Sequence, residues 1–184
     1  TYLQTYSSSA AIIELEKAQK LGSNDGETEL ALGNAYAQLQ QDDKILENIS
    51  ALDEYSATVN AEIHAMRALA LFRANKDEAG KKELDKARKL DETATGVRLS
   101  WASYESSLNN IEAQKNWLQP LLEKNGGVAD AWSRMGEIEK NAGNLDLAED
   151  HFTKAINIRG IVHLDIGQRA LIRIAKKDYT GAQE

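Results

Sequence analysis

Residues 131–160, AWSRMGEIEKNAGNLDLAEDHFTKAINIRG, decide how this 184-residue chain reads. Trp132, Met135 and Gly136 fall on one face of a helix, and Ala148, Phe152 and Ala155 fall on one face of a second. Between them Asn141-Ala142-Gly143-Asn144 supplies a tight stop and restart. The product is a helical hairpin with too little apolar surface to be stable alone, so it must stack on others like it.

The rest of the chain repeats that unit. Taking Gly136 as a marker, small residues recur at Gly33, Ala68, Ala102, Gly136 and Ala170, at intervals of 35, 34, 34 and 34. A second series in the later helix, Ala18, Leu52, Ala87, Leu121 and Ala155, has intervals of 34, 35, 34 and 34. Three places before each stand Leu15, Ile49, Leu84, Leu118 and Phe152, a large apolar stripe. A small residue is needed in the first helix because two helix axes approach closely there. Comparing the two series places one inserted residue between Ala57 and Asn60. Turn signals recur at Gln40-Gln41-Asp42, Asn75-Lys76-Asp77, Asn109-Asn110, Gly143-Asn144 and Lys177-Asp178.

Composition narrows the function classes. The chain has no cysteine, one proline, 42% hydrophobic and 28% charged residues, which suits an ordered helical protein and removes thiolate chemistry. A net charge of -7 argues against a nucleic-acid backbone as partner, which would need clustered Lys and Arg. No apolar run approaches the roughly 20 residues that cross a bilayer, and the first residues lack the basic flank and cleavage site of a signal peptide. A start at Thr1 and a stop in mid-pattern are read as an excised segment of a longer protein.

No catalytic constellation emerges. His64, His151 and His163 share no i, i+3 or i, i+4 spacing that would bring two to one metal, so neither metal nor cofactor is expected. His64 holds the place that Trp132 has in the clear repeat and is read as a packing histidine. The acidic pairs, such as Glu137 and Glu139, fall on solvated faces, and Ser7, Ser8, Ser9, Ser106 and Ser107 have no neighbouring histidine or glycine elbow. Gly126-Gly127 follows a helix and is too short for a phosphate loop. The chain is read as a non-enzyme.

The order Trp-x2-Met-Gly, then Ala-x3-Phe-x2-Ala, at a 34-residue period resembles the tetratricopeptide repeats over nearly the whole length. That resemblance implies an all-α, right-handed α-solenoid of helix-turn-helix hairpins forming a single domain. It would have a partial repeat at 1–25, repeats at 26–60, 61–94, 95–128 and 129–162, and a partial repeat at 163–184. Gly126 and Gly160 stand where the family has proline. Two departures stand out. Pro120 falls inside a second helix, so the third repeat is expected to be the irregular one. Arg169 and Arg173 take interior places, while Leu164, Leu171 and Ile174 form a competing apolar face, which puts the last register in question.

In this family the first helices line a concave groove for peptides. The resemblance puts Asn34, Ala37 and Gln38 in it, then Ala65, Leu69, Phe72 and Arg73, then Leu99, Ser103 and Ser106, then Ser133, Glu137 and Lys140. Phe72, with Leu69 and Arg73, is the aromatic residue assigned to the groove and not to packing. The carboxylate clamp of the chaperone-binding branch is not matched. Asn34 fits one asparagine, but Leu30, Met66, Gly96 and Ser100 replace the other groups. The stretch AAIIELEKAQKLGSND followed by ELALGNAYAQLQQDDKILENI is similar to bacterial periplasmic tetratricopeptide lipoproteins of exopolysaccharide and exosortase (PEP-CTERM) systems. The expectation is a scaffold for a protein or peptide partner in a bacterial envelope assembly, able to dimerise through open solenoid ends. The rival reading is a regulatory or sensor module, cytoplasmic in that case, attached to a catalytic or DNA-binding domain elsewhere.

Overall fold

A computed structural model describes residues 2–23, 25–123, 127–159 and 163–177. Among these the chain is all helix and turn. The helices are α1 (Tyr2–Lys20), α2 (Gly26–Gln38), α3 (Asp42–Asn48), α4 (Ala57–Arg73), α5 (Asp77–Leu90), α6 (Thr95–Ser107), α7 (Ile111–Glu123), α8 (Ala129–Asn141), α9 (Leu145–Arg159) and α10 (His163–Ala175). They fall into two compact units, Thr1–Ser100 and Trp101–Glu184, with the boundary inside α6. In the first unit α1 packs on α2, α2 and α3 on α4, and α4 on α5. In the second α7 packs on α8, α8 on α9 and α9 on α10. Gly126 and Gly160 lie outside the described residues.

Each hairpin is made by one kind of turn. Gln40, Asn75, Asn109, Gly143 and Lys177 have φ of 56°, 57°, 56°, 82° and 63°, so the left-handed residue recurs at the period of the small markers. The residue after it donates its N–H back over five positions at 2.9 Å, from Gln41 to Tyr36, Lys76 to Leu71, Asn110 to Glu105 and Asn144 to Glu139. This is the Schellman helix end, which satisfies carbonyls left open at a helix C-terminus. Asn and Gly suit it; Gln40 and Lys177 adopt it at a steric cost.

Helix packing follows the two series. A Cβ on Gly33 would come within 2.5 Å of Met66 Sδ, and one on Gly136 within 2.9 Å of the Phe152 ring. Ala68 and Ala102 in the same series are wholly buried. So are Ile49, Leu84 and Leu118, with Phe152 close behind.

The irregular repeat is the first, not the third. α3 has seven residues against thirteen to fifteen in α5, α7 and α9, and Leu52, placed by the period inside a second helix, is 42% exposed beyond its end. α4 starts at Ala57 and runs unbroken through Asn60, so the inserted residue belongs to the non-helical segment 49–56. Side chains from other elements hold that segment. Arg67 Nη1 donates to the carbonyls of Ile49 (2.6 Å), Leu46 (3.1 Å) and Ile45 (3.4 Å), closing the short helix. The buried Glu29 accepts from Ser50 N at 2.8 Å, and Asn60 exchanges two hydrogen bonds with Leu52. Pro120 leaves α7 continuous to Glu123. Both Pro120 and Asn116, whose carbonyl loses its donor, are exposed, so water can replace the missing bond.

The last register keeps the period, against the competing face. Ile172 is 2% exposed and packs on Ala148 and Phe152, as Ile138 is buried 34 residues earlier, while Leu171 and Ile174 are exposed. Arg173 is accommodated because Glu149 accepts from its Nε at 2.6 Å. Thirty-four residues earlier the same two places hold Lys115 and Glu139, paired at 2.7 Å with the charges exchanged. Both acids are held below the usual carboxylate range, Glu139 by Lys115 and Asn144, Glu149 by Arg173 and Lys176. His64 packs as expected of it, half-buried with Nδ1 2.7 Å from Glu83 Oε2; that contact and Lys86 hold the Glu83 carboxyl down at about 2.

Relieving the left-handed strain at exposed Gln40 should be measurable. Gln40→Gly is expected to stabilise the first hairpin by about 0.5–1 kcal/mol, read as a rise of about 1–4 °C in melting temperature. An unchanged or lower midpoint would contradict the turn assignment.

Candidate functional site

A first-helix residue and the second-helix residue eight positions later can be compared from hairpin to hairpin. In the second hairpin these are Phe72 and Gly80. A Cβ on Gly80 would lie 2.7 Å from the Phe72 ring, so the ring lies flush on the glycine of α5. Phe72 is half-buried there, which corrects its assignment as an aromatic that packing does not need. Thirty-four residues on, the pair is Ser106 and Gln114, and a further thirty-four on it is Lys140 and Ala148. The first hairpin, offset by its inserted residue, has Ala37 and Ile45.

At the third hairpin two polar side chains stand at these places, and a recess of about 360 Å³ lies beside them. Ser103 and Ser106 of α6, Gln114 of α7, and Ser133 and Glu137 of α8 line it, together with the charged Asp130, Arg134 and Arg159. Ser103 Oγ accepts from Arg134 Nη1 at 2.6 Å. Burial pushes the Arg134 guanidinium down from its ordinary pKa, opposed by Asp130 and Glu137 on the same helix. Arg159 forms an ion pair with Asp130 and reaches Asp165 at 3.3 Å. Asp165 is 1% exposed and takes the place of Ala131 one repeat earlier; Ser133 Oγ donates to it at 2.7 Å. The cations are thus engaged from within the fold. Three groups contrast with them. Gln114 is 9% exposed, yet its carboxamide makes no hydrogen bond to a described residue, and neither the Ser106 hydroxyl nor the exposed Glu137 carboxylate has a described partner.

Of the residues assigned to a groove from sequence, Ser103, Ser106, Ser133 and Glu137 are brought together here. Lys140 lies one turn further along α8 and donates to Gln168 Oε1 at 2.7 Å. Those of the first unit lie on α2 and α4. Asn34 is exposed on α2, and Gln38 accepts from the buried Ser8 hydroxyl at 2.5 Å. Leu69 is half-buried and Ala65 is buried, so Ala65 lines nothing. Arg73 makes a two-pronged pair with Asp42, at 2.5 and 2.8 Å. Gln114 was not assigned from sequence. Its signal is a large polar residue in a series whose neighbours are Gly80 and Ala148.

The solved structures similar to this chain share the hairpin stack. BtubC from P. vanneervenii aligns over 99% of this chain and 86% of its own at 15% identity, with a TM-score of 0.59. The MamA protein aligns over 95% and 85% at 17% identity, with a TM-score of 0.55. The C-terminal part of a TPR repeat-containing protein from Cytophaga hutchinsonii aligns over 95% and 68% at 13% identity, with a TM-score of 0.51. The chain has the tetratricopeptide-repeat fold. No protein-family model and no curated protein matches the sequence. Among the described residues of this tetratricopeptide-repeat chain no group of three His, Cys, Asp or Glu is placed to hold a metal, and no helix is long and apolar enough to cross a membrane.

If Phe72 packs on Gly80, its truncation must show in stability. Phe72→Ala is expected to cost about 2–3 kcal/mol in a denaturant titration. A loss near zero would restore Phe72 to the free surface.

Proposed function

We propose that this chain is a non-enzymatic protein-interaction scaffold that seats a segment of a partner protein along α6 and α8, with the recess at Ser106 and Gln114 as its contact point. The observation that carries this reading is the polar recess of the third hairpin, lined by Ser103, Ser106, Gln114, Ser133 and Glu137, at the place where Phe72 lies on Gly80 in the second. Polar side chains that line a recess and have no described partner remain available to a bound segment. The likeness of residues 10–49 to periplasmic tetratricopeptide lipoproteins favours a bacterial envelope assembly as the setting.

The test is site-directed photocrosslinking in native cells, with a photoactivatable phenylalanine in place of Lys140 on α8 or of exposed Lys82 on α5. The reading predicts a discrete crosslinked partner from position 140, little from position 82, and loss of the adduct when Ser106→Trp fills the recess. Equal adducts from both positions, or an adduct that survives Ser106→Trp, would refute it.

A further inference from the structure

We propose that the packing of His151 on Trp132 is an acid-opened joint: a proton on the imidazole loosens α9 from α8 and opens the fourth hairpin, while the equivalent joint of the second hairpin holds. The two joints occupy the same pair of places, since Trp132 and His151 stand two 34-residue periods beyond His64 and Glu83. The earlier joint has a partner for a proton and the later one has none.

His151 is 8% exposed, and its Nδ1 is buried with no hydrogen-bond partner among the described residues. Its ring lies on the Trp132 indole, with 5.2 Å between centroids and a tilt of 38°. The charges around it are already committed. On α9 itself, Asp150 Oδ2 is 4.0 Å from Nδ1, beyond hydrogen-bond reach, and pairs with Lys154 at 2.7 Å. Glu139 of α8 accepts from Lys115 of α7 and from Asn144, each at 2.7 Å. The Lys154 ammonium stands 4.4 Å from the centroid of the same indole, so the ring already serves one cation, and a second beside it is repelled. Burial holds the His151 imidazole below its ordinary pKa, with Asp150 and Glu139 opposing the shift and Lys154 and Lys115 reinforcing it.

A proton bound more tightly in the opened hairpin than in the closed one favours opening. With His151 depressed from an ordinary value of 6.5, the fourth hairpin keeps its full stability above that value and loses it as pH falls toward the lower value of the folded state. At the second hairpin His64 Nδ1 lies 2.7 Å from Glu83 Oε2, and Arg67 and Lys86 flank the same carboxylate. That carboxyl, held at about 2 chiefly by His64, is still ionised at pH 5 and meets a protonated His64 as its counter-ion. α8 also carries Ser133 and Glu137, so opening the fourth hairpin takes a wall from the recess. The device itself stands whether or not a partner sits there.

The experiment is hydrogen–deuterium exchange of the 184-residue chain at pH 7 and pH 5, corrected for the intrinsic pH dependence of exchange. The opening of α8 and α9 is expected to rise by about 5-fold or more between the two, within the limit of about tenfold per pH unit that one proton sets. The opening of α4 and α5 should not rise. His151→Phe, which keeps a ring on Trp132 and cannot take a proton, should remove the rise in α8 and α9. No rise in the wild-type chain, an equal rise in α4 and α5, or a rise that persists in His151→Phe would overturn the proposal. If His151→Phe does not fold at pH 7, the imidazole titration decides, read by NMR in wild-type chain with labelled histidine and assigned with His64→Gln and His163→Gln. A His151 midpoint below 6.5 is expected, and one at or above 6.5 would overturn the proposal.

Discussion

The left-handed residue in the middle of each three-residue turn is the constraint on which the rest of the fold depends. It ends the first helix through a five-residue N–H to carbonyl bond and turns the chain back, so that a buried large residue lands opposite a small one. Where the second residue is Phe152, the first must be Gly136, because a Cβ there would lie 2.9 Å from the ring. The same turn at four places makes the hairpins alike, and a chain of like hairpins can be repeated or locally altered without rebuilding the whole.

This dependence explains what could be read from the residues. Turn, small marker and large apolar stripe are all local, so fold class, hairpin order and the 34-residue period were legible. What was missed depended on partners far away in sequence. Nothing near Leu52 announces that α3 stops at Asn48, because the stop is made by Arg67, Glu29 and Asn60 from two other helices. Arg173 looked wrong for an interior face because its partner Glu149 lies 24 residues earlier. Read beside Lys115 and Glu139, the pair is the same joint with its charges exchanged. Pro120 misled in the other direction, since a missing amide on a solvated helix face has water to replace it.

The candidate site was legible in half. A resemblance that puts first helices along a groove was enough to bring Ser103, Ser106, Ser133 and Glu137 to one recess. It misplaced the weight on Phe72, whose ring fills the space above Gly80. It passed over Gln114 because that residue sits on a second helix, in a series that is otherwise small or apolar. Only alignment of the series, Ile45, Gly80, Gln114 and Ala148, shows that one hairpin has traded packing for polarity.

The central claim is that the third hairpin does at Ser106 and Gln114 what the second does at Phe72 and Gly80, with recognition substituted for packing. The most direct measurement converts one into the other with the double variant Ser106→Phe and Gln114→Gly, comparing melting temperature and capture of the cellular partner with those of the wild-type chain. The account predicts a fold at least as stable and a partner no longer captured. A destabilised fold, or a stable one that still captures its partner, would contradict it.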